Sequence, residues 1–231
     1  MFSDLSIAAT TDMRFIHPSN AWKRAGGIAT LAVVLFLFIM PRDAQAQRWL
    51  QTTQVIAPVE MNSPTRALLD TLVSVIDRSD SLMVKRSPDT TTRIPVSELE
   101  NELLNSGIGL TSANNVFIDY RFEVNRDGFE ESITELFFIF RPPGTGEEDI
   151  PVMHLSANDD WVRDVLRNKG TTLVSNEAAL RPFGDQISFA KIVRERDARI
   201  VEIGDRTVRE GFDAKKRQLV DKITRLTYSS R

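Results

Sequence analysis

The chain has two histidines, His17 and His154, and no cysteine. Histidine is the side chain that most often serves as a general base near neutral pH. In the segment "IPVMHLSA", His154 and Ser156 alternate and would share one face of a strand. Neighbours along a strand do not by themselves converge as a catalytic triad requires. His154 is therefore a candidate catalytic residue for a hydrolase that combines it with carboxylates, and a hydrogen-bonded strand histidine is the competing interpretation.

The same inventory of side chains argues against metal chemistry. Zinc needs three or four nitrogen, sulfur or oxygen ligands, and one histidine without cysteine leaves only carboxylates. The segment "EVNRDGFEESIT" places Glu123, Asn125 and Asp127 where a calcium loop has its first, third and fifth ligands. Thr134, however, stands where that loop requires a bidentate glutamate. We predict neither a metal nor a cofactor.

Four aromatic residues suggest a different kind of site, for a small apolar or lipidic ligand. Phe137, Phe138 and Phe140 follow one another in "ITELFFIF", and Trp161 comes a short distance later. They would bind such a ligand if they lined a cavity. If they filled the space between elements instead, they would be ordinary core residues.

Charge is distributed unevenly along the chain. Residues 47–190 carry 13 basic and 22 acidic side chains, whereas residues 191–231 carry 12 basic and 7 acidic ones. A basic segment of this kind can dock on an acidic surface of another protein or of a second copy. The candidate partner-binding residues are Lys215, Lys216, Arg217, Lys222 and Arg225. Ion pairing within the helix, such as Asp221 with Arg225, is the competing interpretation.

The N-terminal segment predicts export. Ile28 to Met40 form an uncharged stretch of about thirteen residues, which is short for a membrane-spanning helix. Lys23 and Arg24 precede it, and Ala44-Gln45-Ala46 follows it with small residues where signal peptidase cuts. Cleavage there would leave Gln47 as the first residue.

We therefore expect residues 1–46 to be a signal peptide, with Met13 as a possible true start because Asp4 and Asp12 are unusual in a signal. The protein would then be periplasmic or secreted in a bacterium, where nucleic acid is not an expected partner. An uncleaved signal is the alternative, and it would be the only contact with a membrane.

Residues 63–190 predict one α+β domain, preceded by an extended leader at 47–62. Ser63 and Pro64 are typical of a helix start, and Gly107 of the end of a second helix. Apolar and polar residues alternate from Ile118 to Val124, and two further strands follow, so we expect an antiparallel β-meander of three or more strands packed with helices.

Residues 191–231 predict a basic, mainly helical C-terminal segment. Its apolar residues keep a rough helical phase throughout, which favours one long helix. Gly204 and Gly211 disfavour that helix, and "RIVEIGDRTV" could instead form a hairpin that precedes a helix. The pattern leaves both arrangements open.

No motif in the chain identifies a family or an assembled catalytic centre. We therefore expect an exported, non-enzymatic domain that binds another cell-envelope protein, or itself, through its sheet face or its terminal helix. A binder of an apolar ligand and a hydrolase that uses carboxylates and His154 remain the alternatives.

Overall fold

The computed structural model describes residues 49–79, 81–125, 128–144, 148–172, 180–204, 206–208 and 213–229. All of them belong to the second of two units into which the chain divides, Ala46–Arg231. The predicted signal peptide at 1–46, its start at Met13 and its cleavage after Ala46 lie outside the described residues.

The described residues form an α+β fold with an antiparallel sheet. The strands of the fold are β1 Trp49–Pro58, β2 Met83–Val84, β3 Ile94–Pro95, β4 Asn115–Asn125, β5 Gly128–Phe140, β6 Ile150–Ser156, β7 Gly170–Thr172, β8 Leu180–Pro182, β9 Arg199–Ile203 and β10 Arg206–Thr207. Its helices are α1 Pro64–Ile76, α2 Val96–Asn105, α3 Asp160–Asn168, α4 Phe183–Gln186, α5 Phe189–Ile192 and α6 Asp213–Ser229, with a 3₁₀ turn at Leu110–Ser112. Among these, no helix combines the length and the apolar character needed to cross a bilayer.

The main sheet has six strands in the order β10-β9-β1-β4-β5-β6, and every neighbouring pair is antiparallel. The meander predicted from periodicity is confirmed as β4, β5 and β6. Two short hairpins, β2–β3 and β7–β8, lie outside this sheet. Lys85, which directly follows β2 within the first hairpin, forms an isolated bridge with His154 of β6.

Within the segment predicted as a leader, the described residues 49–62 are part of the domain. Trp49–Pro58 is the long strand β1, which pairs with β4 on one side and with β9 on the other. The prediction was wrong because β1 lacks clean alternation: Thr53 is buried on the core face, and Val55, Ile56 and Ala57 are buried consecutively. A strand covered on both sides loses its period-two signal.

The core lies between one face of the sheet and the helices. Val116, Ile118, Tyr120 and Phe122 of β4 all point to this face and are fully buried. The helices present their apolar stripes to it, as in Leu68, Leu69 and Leu72 of α1. Residues 117, 119, 121 and 123 therefore lie on the opposite face of β4, because side chains alternate along a strand.

The predicted helix punctuation is confirmed for α1 and α2. The Ser63 hydroxyl accepts a hydrogen bond from the Arg66 N–H at 3.1 Å, and Pro64 is the first helical residue. Gly107 follows α2 with a φ of 76°, a conformation that costs glycine little.

The two arrangements left open for residues 191–231 resolve into a hairpin followed by a helix. Arg199–Ile203 and Arg206–Thr207 pair as β9 and β10, and Gly204 between them has a φ of 61°. The helical part is α6, which buries Leu219 and Ile223 against the core. The segment is therefore not one continuous helix. Arg199–Ile203 pairs with β1 as a strand of the sheet, whereas glycine in the interior of a helix would destabilise it.

Candidate functional site

His154 lies on β6, and its imidazole is only 6% exposed. Its Nε2 lies 3.0 Å from Oε2 of Glu135 on the neighbouring strand β5, whereas its Nδ1 is buried and has no hydrogen-bond partner among the described residues. The ring also contacts Phe137 edge to face, with 6.2 Å between the ring centroids. These contacts fix the imidazole within the sheet face.

The structure does not assemble a catalytic triad around His154 from the residues nearby in sequence. The Ser156 hydroxyl accepts a hydrogen bond from the Asn158 N–H. Asp159 pairs with Arg93 at 2.9 Å, and Asp160 pairs with Arg163 at 3.0 Å, so both carboxylates have other partners. His154 instead contacts Glu135, a residue that the sequence patterns did not identify as a candidate.

A row of polar residues crosses the sheet beside this histidine, on the face opposite the core. Its members are in register on five adjacent strands: Glu202, Gln54, Asp119, Glu135 and Ser156. Within the described ranges, no three His, Asp or Glu side chains are arranged to hold a metal ion. Three members of the row, Glu202, Asp119 and Glu135, are carboxylic acids that the sheet holds near one another.

Asp119 is the member of the row whose acidity is changed most. Burial raises the pKa of this carboxyl to about 6, and the nearby charges of Glu135 and Glu202 add to the increase. A hydrogen bond from Gln54 and the charge of His154 act in the opposite direction. Asp119 therefore titrates close to the physiological range.

The four aromatic residues that were considered as a ligand site do not surround one space. Phe138 is fully buried in the core, while Phe137 lies on the opposite face of β5 and stacks on Phe117 with 5.8 Å between centroids. Phe140 and Trp161 are partly buried and pack against the core. The sheet thus divides Phe137 from the other three.

A groove of about 1070 Å³ lies beside β5. It forms because β5 has 13 residues and β6 has only 7. β6 pairs with β5 from Glu135 to Phe140, and the Ala157 N–H donates a last hydrogen bond to the Thr134 carbonyl at 2.9 Å. Among the described residues, those of β5 from Phe129 to Ile133 pair only with β4.

Nine of the 20 residues that line this groove are charged. Its lining residues are Arg121, Glu123, Phe129, Glu130, Glu131, Ser132, Ile133, Thr134, Ala157, Asn158, Arg163, Leu166, Arg167, Arg181, Pro182, Gly184, Asp185, Ser188, Lys191 and Thr227. None of Phe137, Phe138, Phe140 and Trp161 is among them.

Several of these charges are already satisfied. Arg121 pairs with Glu123, and the Nε–H donates to Oε1 at 2.6 Å. The Glu131 carboxylate accepts a hydrogen bond from the Phe189 N–H at 2.6 Å, and burial raises its pKa. Lys191 donates to the Asp185 carbonyl. These contacts hold the floor of the groove and the start of α5 together.

Two arginines on the groove wall differ from the rest. Arg167 is in the last turn of α3, and Arg181 is in β8; both are exposed. In the part of the chain that the structure describes, neither guanidinium forms an ion pair or a hydrogen bond. Neither residue could be identified from the sequence, because the sequence around an exposed arginine does not show which other side chains lie near it in the fold.

The basic residues of the terminal helix are mostly exposed on its outer side. Lys215, Arg217 and Arg225 are exposed, and Lys216 is half-buried. The Lys222 ammonium lies 3.8 Å from the ring centroid of Trp49, a cation–π contact that joins α6 to β1. The apolar stripe of α6 is used within the domain.

Comparison with known proteins finds no match: no family model fits this chain, and no curated protein is significantly similar to it.

Proposed function

We propose that this chain is an exported, non-enzymatic domain that binds another cell-envelope protein, and that it receives an extended segment of that protein along the uncovered half of β5. The observation that carries the proposal is the strand register, in which β6 covers β5 from Glu135 onward and leaves Phe129–Ile133 with β4 as their one partner among the described strands.

A strand with one free side presents unpaired backbone N–H and C=O groups. Proteins usually shorten, twist or cover such an edge, because it can pair with another chain. Here the edge borders a groove between the turn after β6 and the segment that contains β8 and α4. An extended peptide that enters the groove can pair with β5, so that main-chain hydrogen bonds supply affinity and the walls supply specificity.

The chemistry of the groove favours a polypeptide over the alternative ligands. A small apolar or lipidic ligand needs a largely apolar lining, whereas about half of the residues here are charged. A hydrolase needs a base that reaches a substrate, and His154 is held by Glu135 outside the groove lining. A second copy of the chain is the remaining candidate for the occupant.

The test uses the absence of cysteine from the chain to place one photo-crosslinker at a time. Asn158→Cys puts the label on the exposed wall of the groove, and Leu104→Cys puts it on α2, outside the groove, at a residue that is 67% exposed. We expect the label at Asn158 to crosslink one envelope protein in cells, and the label at Leu104 not to do so.

Amide exchange then identifies the contact. When the crosslinked partner is purified and added to unlabelled protein, exchange at residues 129–134 should slow, while residues 115–124 of β4 should not change. Equal crosslinking from both positions, or slowed exchange elsewhere without any change at 129–134, would contradict the proposal. Crosslinking of the chain to itself from Asn158 would replace the partner with a second copy.

A further inference from the structure

We infer that the segment bound in this groove carries a carboxylate at every second position, and that these carboxylates pair with Arg167 and Arg181. The inference rests on the proposed function and adds the chemical identity of the ligand.

The two arginines provide the first argument. Both line the groove, both are exposed, and neither has an ionic partner among the described residues. Guanidinium groups bind carboxylates through two parallel hydrogen bonds, a geometry that a lysine cannot supply. Arg163 also lines the groove, but its guanidinium already donates hydrogen bonds to Asp160 and to the Asn158 carbonyl.

The charges of the groove are separated between its two sides. Arg167 belongs to α3, whose Val162, Val165 and Leu166 are buried in the core, so the arginine lies on the helix side of the sheet. Glu123 and Glu130, an opposed pair on β4 and β5, lie on the other side, together with Arg121. The helix side also carries Glu131 and Asp185, but its arginines and Lys191 outnumber these two acids, whereas Glu123 and Glu130 outnumber Arg121 on the opposite side.

Because side chains alternate along a strand, this separation of charge predicts where acidic residues should fall in the sequence of a bound segment. Side chains at successive positions of a strand added to β5 would point to opposite faces of the sheet. Carboxylates at every second position would all face Arg167 and Arg181. The residues between them would face Glu123 and Glu130, where like charge is unfavourable.

The experiment measures binding of fluorescent peptides to the full chain as purified from its native envelope. The probe is a peptide of about ten residues in which Glu and Thr alternate, long enough for one strand. The matched control peptide has the same composition with its Glu residues in one block and its Thr residues in another. We expect the alternating peptide to bind at least about fivefold more tightly, and its affinity to fall as ionic strength rises.

Protein variants locate the interaction. Arg167→Gln with Arg181→Gln should weaken binding of the alternating peptide about tenfold or more. Arg78→Gln, an exposed arginine outside the groove, should leave binding unchanged. Because all three arginines are exposed, the variants should keep the parent unfolding temperature. Competition by inorganic phosphate that abolishes binding of both peptides equally would show a general anion site and overturn the inference.

Equal binding of the two peptides, or unchanged binding by the double arginine variant, would also overturn it. These results are distinct from failure of the proposed function. A partner crosslinked from Asn158 whose contacting segment has no alternating acids would refute this inference and leave the binding domain in place. Absence of any groove-specific crosslink would refute both.

Discussion

Tyr120 and Asp119 are adjacent polar residues of β4 that the pleat sends to opposite faces of the sheet. The Tyr120 ring is buried in the core, and its hydroxyl donates a hydrogen bond of 2.7 Å to the Ile187 carbonyl. It thereby links the sheet to the turn after α4. Asp119, by contrast, is half-buried beside two other carboxyl groups.

Removing the Tyr120 hydroxyl should destabilise the domain. Tyr120→Phe leaves the Ile187 carbonyl without this donor, so we expect the free energy of unfolding to fall by about 1–2 kcal/mol. The control is Tyr228→Phe, because Tyr228 is 61% exposed and should change stability very little. Chemical denaturation measures both, and equal effects of the two substitutions would contradict the role assigned to the buried hydroxyl.

Asp119 should make stability depend on pH in a defined direction. Its pKa is about 6 in the folded protein against 3.8 for an unperturbed aspartate. Between these values the folded chain holds a proton that the unfolded chain has lost, so this group's contribution to stability decreases as pH rises from about 4 to about 6. Above pH 6 the buried charge remains a cost.

Asp119→Asn should therefore stabilise the protein at pH 7 by about 1 kcal/mol, less than the full shift implies because water still reaches the carboxyl. At pH 4 the gain should disappear. Asp89→Asn, at an exposed residue on the connector before β3, is the control and should have no effect at either pH. Thermal unfolding from pH 4 to 8 measures the difference, and a gain that does not vary with pH would be inconsistent with this account.

At the scale of elements, local signals predicted most of the fold. The meander follows from alternation within β4 and β5, and the start of α1 follows from Ser63 and Pro64. The order of strands could not be predicted, because β1 pairs with β9 across a separation that reaches 149 residues between Thr53 and Glu202. Such pairings depend on side chains that meet only in the folded state.

The candidate sites depend on that missing information. The contact of His154 with Glu135 requires the register of β6 against β5, which no local pattern reports. The groove results from the difference in length between these two strands, so it becomes visible only when they are known to be partners. Arg167 and Arg181 can likewise be identified as candidate binding residues only once the groove beside this edge is known.

The two halves of β5 should differ in their dynamics. Residues 135–140 lie between β4 and β6, so their amides should exchange slowly with solvent. Residues 129–133 have β4 as their one partner among the described strands, and the amides that point away from it should exchange much faster. Residues 115–124 of β4, flanked by β1 and β5, provide the internal control. Residue-resolved exchange by NMR measures this, and uniform protection along β5 would contradict the free edge.

For the whole molecule, the proposed export makes a direct prediction about the native chain. Protein isolated from its own cells should begin at Gln47, because the predicted cleavage follows Ala46. Intact mass measurement and N-terminal sequencing test this. Native material that begins at Met1 or Met13 and partitions into detergent would place the domain on a membrane instead.

The central position of β1 affects when the domain can fold. β1 is the first strand of the described domain to leave the ribosome, but one of its two neighbours in the sheet, β9, is among the last elements synthesised. Contacts so distant in sequence form slowly, since a long loop must close before they contribute. The nascent chain thus lacks its complete sheet until synthesis is nearly finished, and this delay would keep it in the unfolded form that a translocation channel can accept.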